Sequence, residues 1–276
     1  MIIDTHTHFY DPTRPEGVPW PRPDDTFLYR TTLPEHYKAV AVPEGVTGTV
    51  VVEASAWVED NRWVLDLAEN DPFLVGLVGH LEPPDPNFST HLARFAAHPL
   101  FRGIRVGVQD WGDERYLSAC EELAALDLSV DLHIGGKTLH DAAGWAQVFP
   151  DLRIVLNHVA LVPVTGGAPD PEWVDGIRDI ARYPNVFCKV SGMAELTGQK
   201  PACADPAYYA PIIDVLWKVF GTDRLVYGSN WPVSWRFAEY ASIQRIAVAY
   251  FEQKGTEALE KVMAGNSRGA YKWVSR

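Results

Sequence analysis

The chain has 276 residues, a formal net charge of −12, 47% hydrophobic residues and 22% charged ones. This is globular composition rather than disordered or fibrous, and a chain of this length buries roughly three quarters of its unfolded surface without staples. The acidic balance speaks against a nucleic-acid backbone as partner, because phosphate binding needs clustered Lys and Arg; an anionic small molecule would feel only the local pocket.

Met1-Ile2-Ile3 opens directly on an apolar strand pattern, so no signal peptide or membrane span is expected. From there, short β-branched runs recur at residues 2–4, 49–54, 74–78, 103–108, 128–133, 153–157, 186–190 and 225–227. Between them lie patterns with helical spacing, such as Trp63, Val64, Leu67, Ala68 and Leu117, Cys120, Leu123, Ala124. Eight β-then-α units in a chain near the usual length of about 250 residues predict a single-domain (β/α)8 TIM barrel spanning residues 1–276. A doubly wound open sheet is the alternative. It would want a glycine-rich first turn, where this chain has Thr5-His6-Thr7-His8.

Two connections are long or irregular, residues 9–44 and 160–170. Both follow strand C-termini, so in a barrel both would lie over the catalytic face.

Chemistry collects at the same face. Residues two apart on extended chain point to one side, so His6 and His8 project together and can grip a cation through imidazole nitrogen. His133 ends the fifth strand and His158 the sixth. Singly, each of these is more often a satisfied buried histidine; four at three strand ends argue for a site. His36, His80, His91, His98 and His140 lack that placement and are read as structural. The stretch Gly135-Gly136-Lys137-Thr138 lacks the upstream glycine of a phosphate loop. Cys120, Cys188 and Cys203 are widely spaced with no Cys-x-x-Cys pair, which fits reduced thiols in the cytoplasm.

The opening Ile3-Asp4-Thr5-His6-Thr7-His8-Phe9-Tyr10-Asp11-Pro12, Arg102-Gly103-Ile104-Arg105, His158, Lys189-Val190-Ser191-Gly192 and Gly228-Ser229-Asn230-Trp231-Pro232 carry a resemblance. The chain resembles the amidohydrolase-related lactonases, the branch with sugar-lactone and pyrone-dicarboxylate hydrolases, over essentially its whole length. The resemblance implies a barrel enzyme opening a cyclic ester, with a divalent metal in some members and none in others.

It also exposes a departure. The family normally carries Asp on strand eight as proton acceptor for the attacking water, and often as a metal ligand; here that position is Asn230, whose amide takes no proton near neutral pH. His158 is the natural substitute, with Glu53 second. His6, His8 and His133 are the expected ligands of one divalent ion, zinc or manganese, although a metal-independent enzyme stays open. His158, Asn230 and Lys189 are the expected catalytic residues. Arg105, Glu53 and Trp231 are expected to bind a small anionic or polyhydroxylated substrate, with Trp57 and Trp111 as further candidates for the pocket wall. Two other readings remain. One is a metal-dependent decarboxylase of a small carboxylic acid. The other is a non-catalytic ligand-binding barrel that lost the strand-eight acid. The sequence leaves homo-oligomerisation open.

Overall fold

Side chains branched at Cβ are stiff and favour extended backbone, and the runs rich in them form the strands of the computed structural model, which describes residues 1–108 and 110–276. These are β1 (Ile2–Thr7), β2 (Val46–Val52), β3 (Leu74–Gly79), β4 (Phe101–Val106), β5 (Ser129–Leu132), β6 (Arg153–Leu156), β7 (Val186–Val190) and β8 (Leu225–Tyr227). The principal helices between and after them are α1 (Pro34–Ala41), α2 (Asp60–Glu69), α3 (Phe88–Ala96), α4 (Glu114–Ala125), α5 (Thr138–Val148), α6 (Pro171–Ile180), α7 (Ala210–Phe220) and α8 (Tyr240–Glu252).

Every strand pairs in parallel with the next, in the order β1 to β8. The seam between β8 and β1 is closed by hydrogen bonds at their C-terminal ends. Asn230 N donates to the His6 carbonyl at 2.8 Å, and His8 N donates to the Trp231 carbonyl at 2.9 Å. Below these, Thr5 Oγ1 donates to the Tyr227 carbonyl at 2.6 Å and Ser229 N to Asp4 Oδ1 at 2.8 Å. The predicted (β/α)8 barrel is therefore what the chain builds, and the residues that shut it are those that carry its histidines.

Alternation along the strands sorts the core into two parts. Val130, Leu132, Ile154, Leu156, Leu225 and Tyr227 join the large cluster that includes helix residues such as Leu123, Leu139 and Ile177. Val50, Val52, Val155 and Val226, of the opposite parity, pack with Tyr271 and Trp273 from the end of the chain. Asp131 and Lys189 share that inward parity and are both completely buried. Among the described residues no helix is long and apolar enough to cross a membrane.

Candidate active site

A cavity of about 360 Å3 opens at the C-terminal ends of the strands. Its polar wall is His8, Arg105, His133, His158 and Asn230, and its apolar wall is Trp20, Ala54 and Val233. Trp20 arrives from the long first connection and sets its ring 5.9 Å from His8, edge on. The loop at 160–170 contributes nothing to this wall; its Val164 N instead donates to the Leu196 carbonyl.

Four histidine rings form a row. His6 lies 5.0 Å from His8 and 4.3 Å from His158, centroid to centroid, and His158 lies 5.6 Å from His133. Two glycines of the recognised segments make this row possible. A Cβ at Gly192 would come within 2.8–2.9 Å of the His158 side chain, and a Cβ at Gly228 within 2.8 Å of His6 Cβ. Burial, the largest influence, holds His6 and His158 well below the ordinary imidazole pKa and pulls His8 down to about 3. Burial and then the Arg105 charge lower His133 as well. The site thus presents neutral imidazoles at pH 7. His158 Nδ1 is tied to Ser191 Oγ at 2.9 Å, leaving Nε2 without a partner among the described residues.

The structure does not gather the expected metal ligands. His133 contacts the His158 ring and no other histidine, and among the described residues no three His, Cys, Asp or Glu side chains are grouped to hold a cation. A different donor set stands nearer together. His8 Nδ1 donates to the Val52 carbonyl at 2.7 Å, so in the neutral ring Nε2 is a bare lone pair, and it faces Asn230 Oδ1, another acceptor, at 3.1 Å. Two opposed lone pairs repel unless a proton or a cation lies between them. His6 Nε2, buried without a partner, is the third available donor. Its other nitrogen, Nδ1, faces Lys189 Nζ at 3.2 Å. The ring proton can sit on Nδ1, freeing Nε2, only when Lys189 is neutral; burial pulls Lys189 that way and Asp131 pushes back. A cation here would draw on His6, His8 and Asn230 and would require Lys189 to give up its charge, whereas His133 stands against the His158 ring.

Lys189 is not at the mouth. It is completely buried, with Nζ 2.7 Å from Asp131 Oδ2, and the Tyr271 hydroxyl donates to the same carboxylate at 3.1 Å. A charged side chain at that depth persists because it is paired there, and this takes Lys189 out of the wall that meets a substrate.

Trp231 is likewise outside the cavity wall. It is 1% exposed and packs among Phe9, Tyr37 and Trp235, since its position after β8 turns it behind Asn230. Trp111 packs edge on against Trp145, and Trp57 is an exposed loop side chain.

Glu53 sits just past β2 and folds over its own turn. Oε1 accepts from Ala54 N and Ser55 N, each at 2.7 Å, and Oε2 is buried without a partner. Its contribution to the site runs through the backbone, where its carbonyl accepts from Arg105 Nη2 at 2.9 Å and steadies the guanidinium.

Burial pushes the Glu53 carboxyl from 4.5 up to about 7. A carboxyl raised in the folded state holds a proton that the unfolded chain has already lost. Its contribution to stability is therefore greatest below pH 4.5 and declines as pH rises to about 7, by on the order of 3 kcal/mol over that window. Glu53→Gln should flatten this decline. The check is the difference in unfolding free energy between wild type and variant across pH 4.5–8, which should grow in the variant's favour with pH.

The residues missed in the sequence are Trp20, Ser191, Asp131 and Glu195. Glu195 opens a short turn, Glu195–Thr197, after β7, and its Oε1 accepts from Asn230 Nδ2 at 2.7 Å. Burial raises this carboxyl to about 7. Asp131 had a signal, since it lies two residues before His133 and therefore on the same face of β5.

Comparison with known proteins bears on the family. An L-fucono-1,5-lactonase of Burkholderia ambifaria is 31% identical over 281 residues, covering 98% of this chain and 95% of that protein. An amidohydrolase of Burkholderia multivorans, solved with bound HEPES, superposes with a TM-score of 0.89 at 22% identity, covering 99% of this chain and 100% of that one. The same protein solved with zinc superposes at 0.86, also with 22% identity and coverage of 99% and 100%. At that identity the superpositions speak for the fold alone. The amidohydrolase profile, by contrast, aligns with residues 3–273, from the first strand through the last aromatic of the barrel interior, and so takes in every residue of the cavity wall. The chain belongs to the amidohydrolase family of enzymes.

Proposed function

We propose that this protein hydrolyses a lactone or related cyclic ester of a small sugar acid or aromatic-catabolic acid. The observation that carries the reading is that one neutral imidazole with a free nitrogen, His158, and one guanidinium, Arg105, line the same cavity. Ester hydrolysis needs those two things, an acceptor for the proton of water and a partner for the charge that grows on the carbonyl oxygen. The lactonase relative supports the substrate class.

In this reading water attacks the lactone carbonyl while His158 Nε2 takes its proton, with Nδ1–H donating to Ser191. The tetrahedral oxyanion lies against Arg105. Collapse breaks the ring C–O bond, and the proton held on His158 passes to the departing ring oxygen, giving the open hydroxy acid. Asn230 Oδ1 accepts a hydrogen bond from the water and orients it. His133, at the exposed rim, and Trp20 contact the remainder of the substrate. A divalent ion, zinc or manganese, would be held by His6, His8 and Asn230, and supplies Lewis-acid polarisation of the carbonyl when bound. Lys189 and Asp131 form the buried floor beneath His6. The three cysteines are free thiols, in keeping with the cytoplasmic location we propose.

The experiment is acid release from a panel of 1,5- and 1,4-aldonolactones and pyrone dicarboxylates, on protein with and without added zinc or manganese. Carbon dioxide release from hydroxybenzoates with no lactone turnover would establish the decarboxylase instead, and tight binding without turnover the non-catalytic barrel. Arg105→Ala should raise KM by about 10- to 100-fold, the scale of a lost hydrogen bond to a charged group, with the melting temperature little changed. An unaltered KM would remove Arg105 from substrate contact.

A further inference from the structure

An asparagine in place of a carboxylate has a defect that is geometric before it is chemical. A carboxylate offers an acceptor oxygen whichever way it turns; an amide offers one only if its oxygen, not its nitrogen, faces the reacting groups. Asn230 lies in the left-handed region, at φ 60, which asparagine tolerates better than most residues. The backbone therefore sets where the side chain goes but not which end is the oxygen.

Glu195, as a carboxylate, biases that choice. Its Oε1 accepts from Asn230 Nδ2 at 2.7 Å, and this leaves Oδ1 toward His8 Nε2 at 3.1 Å. Were the amide to turn over, its oxygen would stand against a carboxylate oxygen at hydrogen-bond distance. Glu195 has no competing use for that oxygen, and its Oε2 is buried without a partner. Among the described residues the carboxylate makes no ion pair, and Asn230 is its side-chain partner.

We propose that Glu195 is a positioning residue that locks the Asn230 amide with its oxygen toward His8 and the cavity, so that an asparagine presents the acceptor a carboxylate would have presented from either end. The two residues form a dependent pair. An aspartate at 230 would set a second carboxyl against Glu195, and the two would have to share a proton. The inference rests on the lactonase reading for its catalytic consequence, but not for its structural one.

The test uses the full-length protein at a single pH, 8. With selective 15N-asparagine labelling, the wild type should show a single pair of slowly exchanging Nδ2 protons for Asn230. Glu195→Gln can both donate and accept, so it should give two sets of resonances or exchange-broadened ones, together with a kcat at least 10-fold lower and little change in KM. The exchanged pair Asn230→Asp with Glu195→Gln restores one donor to one carboxylate and should bring kcat back to within about 3-fold of wild type. Asn230→Asp alone, with two facing carboxyls, should remain impaired. Unchanged Asn230 resonances in Glu195→Gln overturn the proposal whatever the substrate is, and so does a double variant no better than Glu195→Gln. Should Glu195→Gln fail to fold, the double variant carries the test through its own folding and rate. If no lactone is turned over by any form, the proton resonances still decide the orientation, and the failure belongs to the proposed function.

Discussion

Replacing His158 by asparagine should lower kcat/KM by about 10²- to 10⁴-fold while leaving the fold intact, the range that loss of a positioned proton acceptor produces. Asparagine rather than alanine is the informative choice, because His158 to Leu161 run through the left-handed region at φ between 49 and 53, where asparagine is least strained. His158→Asn keeps a polar group near Ser191 and removes only the titratable nitrogen. The wild-type pH profile gives a second handle. The base works when neutral, and burial holds His158 well below the usual 6.5, so activity should still be undiminished at pH 6, where an ordinary imidazole would be mostly protonated. The acid limb should lie lower still and should vanish in the variant. A variant retaining more than a tenth of wild-type kcat/KM would move the proton acceptor elsewhere in the row.

Much of this arrangement is legible in the sequence, and what escapes it does so for physical reasons. The strand rhythm is visible because each β run is buried on both faces and reads as a continuous apolar segment. β1 is the instructive exception. Its apolar run ends at Asp4, yet the strand continues to Thr7, because the mouth of a barrel strand carries polar functional residues that break the hydrophobic signal before the hydrogen bonding stops. The histidines are found by position, at strand ends, and period two puts His6 and His8 on one side. What periodicity cannot supply is depth or order around the rim. Lys189 has the correct inward parity but lies one layer beneath Ser191, as Asp131 lies beneath His133, so the charged pair goes to the floor and the upper pair to the mouth. His133 is three strands from β8 around the cylinder, and it meets His158 rather than His6 and His8. Trp20 and Glu195 come from irregular loops, where no period operates.

The floor pair supplies the other large effect. Lys189→Met removes the cation and leaves the Asp131 carboxylate completely buried with only the Tyr271 hydroxyl and its own protonation to satisfy it. Breaking one side of a buried pair costs about 3–5 kcal/mol, which for a chain of this size lowers the melting temperature by roughly 5–9 °C. Removing both charges is a different matter. Lys189→Met with Asp131→Leu exchanges two desolvation costs and one strong attraction for apolar contact, and should recover most of the lost stability, as replacement of buried pairs often does. That double variant also separates structure from chemistry. Lys189 is sealed from the cavity and, among the described residues, touches the site through His6 Nδ1 at 3.2 Å, so the stable double variant should keep activity within about 10-fold of wild type. A double variant that melts normally but has lost more than 10³-fold in kcat would return Lys189 to the reaction, with the proton on His6 as the route by which it acts.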